Sequence, residues 1–466
     1  MDLLLIAFVF AALLAGYPVA LSLAGVSVVF ALMAFCFGQF DLFYLQALPS
    51  RLFGLVTNPI LMSIPMFVAM GVVLEKTGLA ADMVRAAARL FEGRRAGLPL
   101  SVVLLGTVLG ASSGMVGASV VTLGLIALPT LLKRGWEPGF SSGLVAASGT
   151  MGQIIPPSIA LIVLSDQISN AYQVAQTRSG QFASETVTVT DLFAAALLPG
   201  LLTAGLFAAH VWWRAGRFEA STATGSEIPI AASETEGVED WTTKDLVAAF
   251  VPPLVLIVLV LGSILFGLAT AGEAASVGTV GALVLAAKRL DFSRVQEILF
   301  ESVQLIGMIF FIIVGASIFS LVFRGLGGEQ SVSALFSALP DNTVFALLVV
   351  MAIVFVLGFF LEFLEITFIV VPLVAPVLLM MPYGDTGGMS PIWLAILFGL
   401  VLQTSFLTPP FGLSLFYLCS VAPKLVTTGV IYRGVVPFIL LQILVFVAVL
   451  VVPEMATALP RLMFGG

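Results

Sequence analysis

The chain has 466 residues, of which 60% are hydrophobic and 10% are charged, and its formal net charge is −7. The mean hydropathy is +1.16, and many apolar runs reach about 20 residues, the length of a spanning helix. This composition excludes a soluble globular protein, and the continuous runs exclude an outer-membrane barrel, whose strands alternate apolar and polar residues. The sequence therefore predicts an all-α polytopic membrane protein. Nucleic acid is not expected as a partner, and Cys36 and Cys419, in apolar runs, are expected to be buried thiols.

Residues 1–97 are predicted to form N-terminal scaffold helices followed by a helix on the membrane surface. The first apolar run is interrupted at Gly16-Tyr17-Pro18, which allows either one kinked span or two short helices. A second span covers residues 47–74. Between residues 80 and 95, apolar residues recur at helical spacing against four arginines, which is typical of a helix lying along the cytoplasmic interface.

A run of tiny residues, 110–119, interrupts the long apolar segment between residues 98 and 132. Basic pairs close both ends of this segment: Arg94-Arg95 and Lys133-Arg134. Because Lys and Arg favour the cytoplasmic side, the segment is expected to enter and leave by the same face. It is therefore predicted to be a re-entrant helical hairpin. Three small residues form its buried tip: Ser112, Ser113 and Gly114.

The next span contains residues 149–158, with the sequence Gly-Thr-Met-Gly-Gln-Ile-Ile-Pro-Pro-Ser. Its two glycines and adjacent prolines predict a helix that is unwound near its middle, since each proline lacks an N–H and clashes one turn back. Irregular backbone at membrane depth is tolerated only where it is packed in protein or lines a watery cavity. Residues 98–190 are therefore predicted to form a first transport-domain repeat, a hairpin plus a broken helix. A polar external loop is expected at residues 165–190.

Residues 191–339 are predicted to be scaffold helices, interrupted by a flexible polar linker at residues 214–245. His210, the only histidine, ends an apolar helix and is expected in the interfacial aromatic belt rather than in a proton relay. Residues 424–466 are predicted to supply a C-terminal scaffold helix.

A second long apolar segment, residues 343–381, has no positive charge close to either end, so both ends are expected outside. Its middle carries Glu362 and Glu365, which stand one helical turn apart and share a face. The following span is interrupted at residues 403–412, Gln-Thr-Ser-Phe-Leu-Thr-Pro-Pro-Phe-Gly. Residues 340–423 are therefore predicted to form a second transport-domain repeat.

The two halves show the same order of features, a hairpin with a polar centre and then a span broken at Pro-Pro. The distance from tip to break is 44 residues from Ser112 to Pro156 and 47 residues from Glu362 to Pro409. Two matched broken helices inserted with opposite topology are typical of a secondary transporter built as an inverted repeat. Their helix ends offer carbonyl groups to a cation and amides to a carboxylate.

The sequence thus predicts a shared site for an alkali cation and the substrate, because hydroxyl and carbonyl groups are hard oxygen ligands. Its residues come from the two tips and the two breaks: Ser112, Ser113, Gly114, Gly149, Thr150, Gly152, Pro156, Gly358, Glu362, Glu365, Thr404, Thr408, Pro409 and Gly412. Two alternatives stay open, in which small residues serve helix packing or the glutamates are solvated in a vestibule. An enzyme is not expected, since the Glu pair is the only acid–base arrangement at depth. No cofactor is expected beyond Na⁺ as coupling ion.

These motifs resemble those of the large membrane subunit, of the DctM type, of tripartite ATP-independent periplasmic (TRAP) transporters, over about residues 3–455. The most specific matches are residues 63–67, 110–119, 152–158, 358–362 and 408–412. The resemblance implies an elevator-type transporter of the ion-transporter superfamily in the bacterial inner membrane, with sodium coupling and uptake of an organic carboxylate. It also implies two partners on separate chains, a small four-helix membrane subunit (DctQ type) and a periplasmic substrate-binding protein (DctP type).

The expected external loop and the doubled Glu362/Glu365 resemble the TRAP members associated with 2-oxo acids, lactate and aromatic or other larger carboxylates. Few positive residues are placed to meet a carboxylate at depth, so helix amides and bound sodium are expected to supply the positive field. A stand-alone ion-coupled anion transporter of the same superfamily, without a binding protein, is the alternative.

Overall fold

The computed structural model describes residues 1–90, 95–113, 116–180, 186–217, 241–340, 342–383 and 388–465. Six helices in these residues are long and apolar enough to cross a membrane, and two bent helix pairs raise the number to eight if each pair is one span. The predicted all-α, multi-pass architecture is confirmed. Most of the expected linker, residues 218–240, lies outside the described residues.

The described residues contain 21 α-helices. Within the described residues the first half contains α1 (Asp2–Leu14), α2 (Val19–Cys36), α3 (Leu48–Thr57), α4 (Ser63–Lys76), α5 (Leu79–Leu90), α6 (Gly97–Ser113), α7 (Val116–Lys133), α8 (Pro138–Thr150), α9 (Ile159–Arg178) and α10 (Val189–Gly216). The second half contains α11 (Thr243–Leu265), α12 (Ala271–Ala286), α13 (Phe292–Gly325), α14 (Gly328–Ser337), α15 (Thr343–Leu357), α16 (Phe363–Ile369), α17 (Val371–Met380), α18 (Pro391–Leu407), α19 (Leu413–Val421), α20 (Thr428–Val451) and α21 (Glu454–Phe464).

The first apolar run forms two helices rather than one kinked span. Gly16 adopts a left-handed conformation with φ of +84°, which other residues rarely tolerate. Pro18 then stands as the N-cap of α2, where the missing N–H of a proline costs little. The second predicted span is likewise divided, because the Asn58 side chain accepts a 2.9 Å hydrogen bond from the Ile60 amide between α3 and α4.

Helix α9 is longer than the sequence predicts, because the expected polar loop at residue 165 is helical as far as Arg178. Asp166, Ser169 and Gln176 are buried along this extension. These polar residues therefore mark a helix face that meets protein, and polarity alone does not distinguish such a face from a loop.

The expectation that both cysteines are buried is wrong, since Cys36 and Cys419 are exposed. An apolar run in a membrane protein has one face that packs on protein and another that does not. The composition of the run does not say on which face a given residue lies.

The helices pack in two groups. In one, α2 lies along α13, and α4 lies along α12. In the other, α8 contacts α6, α7 and α20. Helices α8 and α20 cross with their backbones touching, because a Cβ on Gly143 or Gly434 would overlap the main chain of the other helix. Helix α10 also contacts α6, α9, α18 and α20. The division of the chain into transport and scaffold parts stays a prediction.

Candidate functional site

The first break, between α8 and α9, is a buried stretch that consists of one 3-10 turn, Met151–Gln153, followed by non-helical backbone. It contains a cis peptide bond between Pro156 and Pro157, and every residue from 151 to 158 is buried. The Ser158 hydroxyl donates a 3.0 Å hydrogen bond to the Gln153 carbonyl. One carbonyl left unpaired by the break is thus satisfied by a side chain, as buried backbone requires.

The second break, between α18 and α19, is built in a similar way. It contains a cis peptide bond between Pro409 and Pro410, and the Ser414 hydroxyl donates a 2.7 Å hydrogen bond to the Phe406 carbonyl. In both breaks the accepting carbonyl lies three residues before the first proline, and the donating serine lies after the second.

The first break packs beside α6 and α7, the two helices of the preceding segment. In the first half a Cβ on Gly110 of α6 would overlap the backbone of Gly152, so these glycines allow α6 to touch the break directly. In the second half the Thr343 hydroxyl donates a 2.6 Å hydrogen bond to the Pro382 carbonyl. This bond joins the two ends of the second apolar segment, as expected of a hairpin. The relation of the two halves as an inverted repeat stays a prediction.

The two glutamates of the second hairpin have different surroundings. Glu365 is buried, and its carboxylate accepts a 3.0 Å hydrogen bond from the Glu362 amide at the start of α16. Glu362 is exposed, and its carboxylate accepts a 3.3 Å hydrogen bond from the Tyr417 hydroxyl of α19. Glu365 therefore caps a helix from within the protein, whereas Glu362 faces the space between the hairpin and the second break.

That space is a cavity of about 460 Å³, called here the central cavity. Both hairpins and both breaks contribute to its lining, as do α4 and α13. Its lining residues include Glu75, Gly117, Gln153, Glu301, Glu362 and Tyr417. All the segments that the repeat pattern singled out therefore meet at one cavity.

Two buried glutamines near the breaks lack hydrogen-bond partners in the described part of the chain. Gln153 is 3% exposed and lines the central cavity, and its side-chain oxygen is unpartnered. Gln403 in α18 is fully buried, and both of its amide atoms are unpartnered. A buried polar group without a partner is costly, so these amides are suited to a ligand or a bound water. The sequence analysis did not include Gln153 and Gln403 in the predicted site. Their position shortly before each Pro-Pro pair was the pattern that could have indicated them.

The family model described as "Tripartite ATP-independent periplasmic transporter, DctM component" matches residues 6–455. The chain belongs to the DctM family. It is thus the large permease subunit of a binding-protein-dependent transporter, a multi-pass protein of the bacterial inner membrane. The DctM family is one of transporter permeases rather than enzymes, and such permeases work with a small membrane subunit and a substrate-binding protein in general.

Relatives over nearly the whole chain carry different substrates in their names. A C4-dicarboxylate TRAP transporter large permease of Rhodobacter capsulatus is 27% identical, with 99% of each chain covered. A sialic acid large permease of Vibrio cholerae is 25% identical, with 97% of each covered. A 2,3-diketo-L-gulonate large permease of Escherichia coli is 24% identical, with 94% of each covered. The fold is also that of the YdaH transporter of Alcanivorax borkumensis, with a TM-score of 0.64 and 15% identity over 100% of this chain and 98% of the other.

Several residues predicted for the DctM site serve close packing. A Cβ on Gly149 would overlap Val120 of the first hairpin, and one on Gly358 would overlap the Ser405 hydroxyl. A Cβ on Gly412 would lie 2.6 Å from the Phe406 carbonyl oxygen. Gly149 and Gly358 thus allow the hairpins to pack closely on the broken helices, and Gly412 allows a tight turn within the second break. This is the packing role left open by the sequence.

The predicted hydroxyl ligands have main-chain partners. Thr150 donates to the Ala147 carbonyl at 2.8 Å, Thr404 to the Leu400 carbonyl at 2.7 Å, and Thr408 to the Thr404 carbonyl at 2.8 Å. Among the described lining residues of the central cavity, only Glu362 belongs to the predicted set. The side chains of Ser112 and Ser113, and all of Gly114, lie outside the described residues. The roles of the predicted residues as ligands stay predictions.

A second cavity of about 640 Å³, called here the external cavity, lies between α3, α9, α13 and α17. It is lined by Arg51, Arg178 and Arg324. Glu329 accepts a hydrogen bond from Arg178 and pairs with Arg324 at 3.0 Å. Since α9 and α13 reach this cavity at the ends away from the basic clusters, the positive-inside rule places it on the periplasmic side.

The carboxylate of the external cavity is shielded by amides. Asp166 is 4% exposed and accepts hydrogen bonds from Asn58 at 2.7 Å, Gln167 at 2.8 Å and Asn170 at 3.3 Å. In the described residues Arg51 has no carboxylate within ion-pair distance. Arg178 and Arg324 therefore share Glu329, and with Asp166 the three arginines face two carboxylates, so the surroundings of the cavity keep a net positive charge.

Proposed function

We propose that this permease imports an organic carboxylate together with sodium ions by an elevator movement. The observation that carries the proposal is the central cavity, where both hairpins and both breaks meet around the unpartnered Gln153 side chain. The relatives named above are described as carriers of C4-dicarboxylate, sialic acid and diketogulonate, each of which bears a carboxylate.

The charge of the central cavity supports coupling to a cation. Its described lining contains Glu75, Glu301 and Glu362 but no Lys, Arg or His. A lone carboxylate substrate would be repelled there, since like charges at short range cost free energy at low dielectric. A sodium ion held by unwound carbonyls and oxygen side chains removes this penalty. We infer that sodium and substrate enter the cavity as a neutralised pair.

The position of the central cavity supports an inward-facing conformation. Glu301 pairs with Lys76 at 2.5 Å and Glu297 pairs with Lys76 at 3.1 Å, and Glu297 stands near the cytoplasmic start of α13. The external cavity lies toward the periplasmic end of α13. In an elevator movement the hairpins and breaks slide past α4 and α13 until the central site opens outward. Helices α10 and α20, which the sequence assigns to the scaffold, contact the broken helices. These contacts favour a movement of α10 and α20 together with the broken helices.

We propose a 2-oxo acid, lactate or an aromatic or other larger carboxylate as the substrate, on the basis of the Glu362/Glu365 pair. The arginine lining of the external cavity supports an anionic substrate on its way to the central site. We propose that the small membrane subunit and the binding protein are separate chains. The alternative, a stand-alone carboxylate transporter, has less support, because the family match covers nearly all of the chain.

Transport by purified protein in liposomes tests this proposal. We expect accumulation of a radiolabelled carboxylate only when an inward sodium gradient, the small subunit and the loaded binding protein are all present. Replacing the sodium gradient with an equal potassium gradient is the matched control. Uptake that proceeds without sodium contradicts the proposed coupling, and uptake that proceeds without the binding protein favours the stand-alone alternative.

A further inference from the structure

A separate cavity of about 450 Å³ shares no described lining residue with the central cavity. It is lined by the end of α10 and by the first turns of α8 and α20. Lys133 precedes α8, Lys424 precedes α20, and Arg217 follows α10, so the positive-inside rule places this cavity at the cytoplasmic surface.

The lining of this cytoplasmic cavity is basic. It includes Arg214 and Arg433, and Glu137 is the one carboxylate among its described lining residues. Glu137 accepts a hydrogen bond from Arg214, whereas Arg433 has no carboxylate within ion-pair distance in the described residues. Helices α8 and α20 also begin here, and the N-terminal end of a helix carries a partial positive charge. The cavity therefore favours an anion.

The cavity is continuous with apolar surface. Trp213, Leu425 and Pro437 line it, and the Arg217 guanidinium lies 4.0 Å from the Trp213 ring centre, an arrangement suited to the membrane interface. Along α20 an apolar stripe, Val436 and Leu440, continues away from the cytoplasmic end with 47% and 61% of the side chains exposed. A ligand with a charged head and apolar chains fits both parts.

We propose that this cavity binds the headgroup of an anionic phospholipid of the cytoplasmic leaflet, with its acyl chains along the exposed face of α20. Basic pockets between helices on the cytoplasmic side are suited to such headgroups. The phosphate is held by Arg433 and the start of α20, while the Glu137–Arg214 pair borders it. This site lies outside the central cavity and does not depend on the identity of the transported carboxylate.

Lipid binding here stabilises the contact of α8 with α20. The two helices touch at Gly143 and Gly434, and farther along, the Gln442 amide donates a 3.2 Å hydrogen bond to the Thr150 hydroxyl at the end of α8. A headgroup bound at the cytoplasmic ends of α8 and α20 contacts both helices. It thereby stabilises the position of α8, which leads into the first break.

Native mass spectrometry of the full-length chain, purified in detergent and titrated with phosphatidylglycerol, tests the proposal. We expect Arg433→Gln to weaken phosphatidylglycerol retention about fivefold, since one basic residue contributes about 1 kcal/mol near an anionic lipid. Arg461→Gln removes an exposed arginine from the last turn of α21 and is expected to leave retention unchanged. Glu137→Gln removes a nearby negative charge and frees Arg214, so it is expected to strengthen retention.

Thermal unfolding provides a second measurement on the same variants. Phosphatidylglycerol is expected to raise the Tm of the unmodified chain and of Arg461→Gln, and to do so less for Arg433→Gln. Equal stabilisation by phosphatidylcholine would contradict a headgroup-specific site, and equal stabilisation by inorganic phosphate alone would show a free-anion site instead. Equal retention in Arg433→Gln and the unmodified chain would also overturn the proposal. If Arg433→Gln does not fold, the opposite change expected of Glu137→Gln decides it.

Discussion

The central and external cavities have three helices in common, yet their charges are opposite. α9, α13 and α16 supply residues to both cavities. Toward the cytoplasm α13 presents Glu301, and toward the periplasm it presents Arg324. Between them, Ile309 lines the central cavity and Ile313 the external one, so about one helical turn separates the two.

This contrast suggests that the two cavities have different roles in transport. An arginine-lined vestibule attracts an anion from the periplasmic side by its field. In the proposed transport cycle the acidic central cavity binds that anion together with a cation, so that the neutralised pair is carried. If both cavities had a basic lining, each would bind the carboxylate without sodium.

The largest expected effect concerns the unpartnered amide of the central cavity. Gln153→Leu replaces the amide with an apolar side chain of similar size. We expect the initial uptake rate to fall about tenfold or more, because a hydrogen bond to a charged ligand is worth about 1.5–3 kcal/mol. The Tm is expected to stay level or rise, since a buried unpartnered group is removed. Sodium-driven uptake and Tm are measured on the same preparation.

Gln176→Leu is the matched control, since Gln176 is also buried but lies at the periplasmic end of α9, outside the lining of the central cavity. Normal uptake by Gln153→Leu would mean that its amide meets neither ion nor substrate, and would remove the observation on which the proposed site depends.

A smaller effect, on the sodium dependence of uptake, is expected from a change at Glu362, whose carboxylate faces the central cavity. Glu362→Gln keeps the shape of the side chain and removes its charge, so we expect the half-saturating sodium concentration to rise about fivefold, equivalent to about 1 kcal/mol at a partly exposed site. Tyr417→Phe deletes only the hydrogen bond to this carboxylate and is expected to change it less. Sodium titration of uptake checks both. An unchanged sodium dependence in Glu362→Gln would place the cation elsewhere.

The sequence predicted the parts of this fold that depend on strong local chemistry. Pro-Pro pairs in apolar spans marked both breaks, because proline cannot continue a helix. Charge at the flanks indicated which ends of a segment lie on the same side of the membrane, and this assignment stays a prediction. These signals are local, and they place the two breaks and the two hairpin segments along the chain.

The sequence did not predict which polar atoms point into the central cavity. Gln153 and Thr150 stand three residues apart in the same motif, yet the Thr150 hydroxyl is satisfied by its own helix while the Gln153 oxygen has no partner in the described residues. Likewise Glu362 and Glu365 share a helical spacing, but only the fold decides that one faces the cavity and the other caps α16. Such assignments depend on how distant segments pack.

The smallest expected effect is at the external cavity. Arg51→Gln removes the guanidinium that lacks a carboxylate partner in the described residues, and we expect the half-saturating concentration of loaded binding protein to rise about threefold at low salt. The change should shrink as salt is added, since charges at the rim of a site act mainly on association and are screened. Arg461→Gln, an exposed arginine outside this cavity, is the matched control. Binding of the unloaded binding protein to the permease is measured in parallel. If that binding weakens equally, Arg51 contacts the binding protein and not the carboxylate. The basic charge of the external cavity would then not serve to attract the substrate.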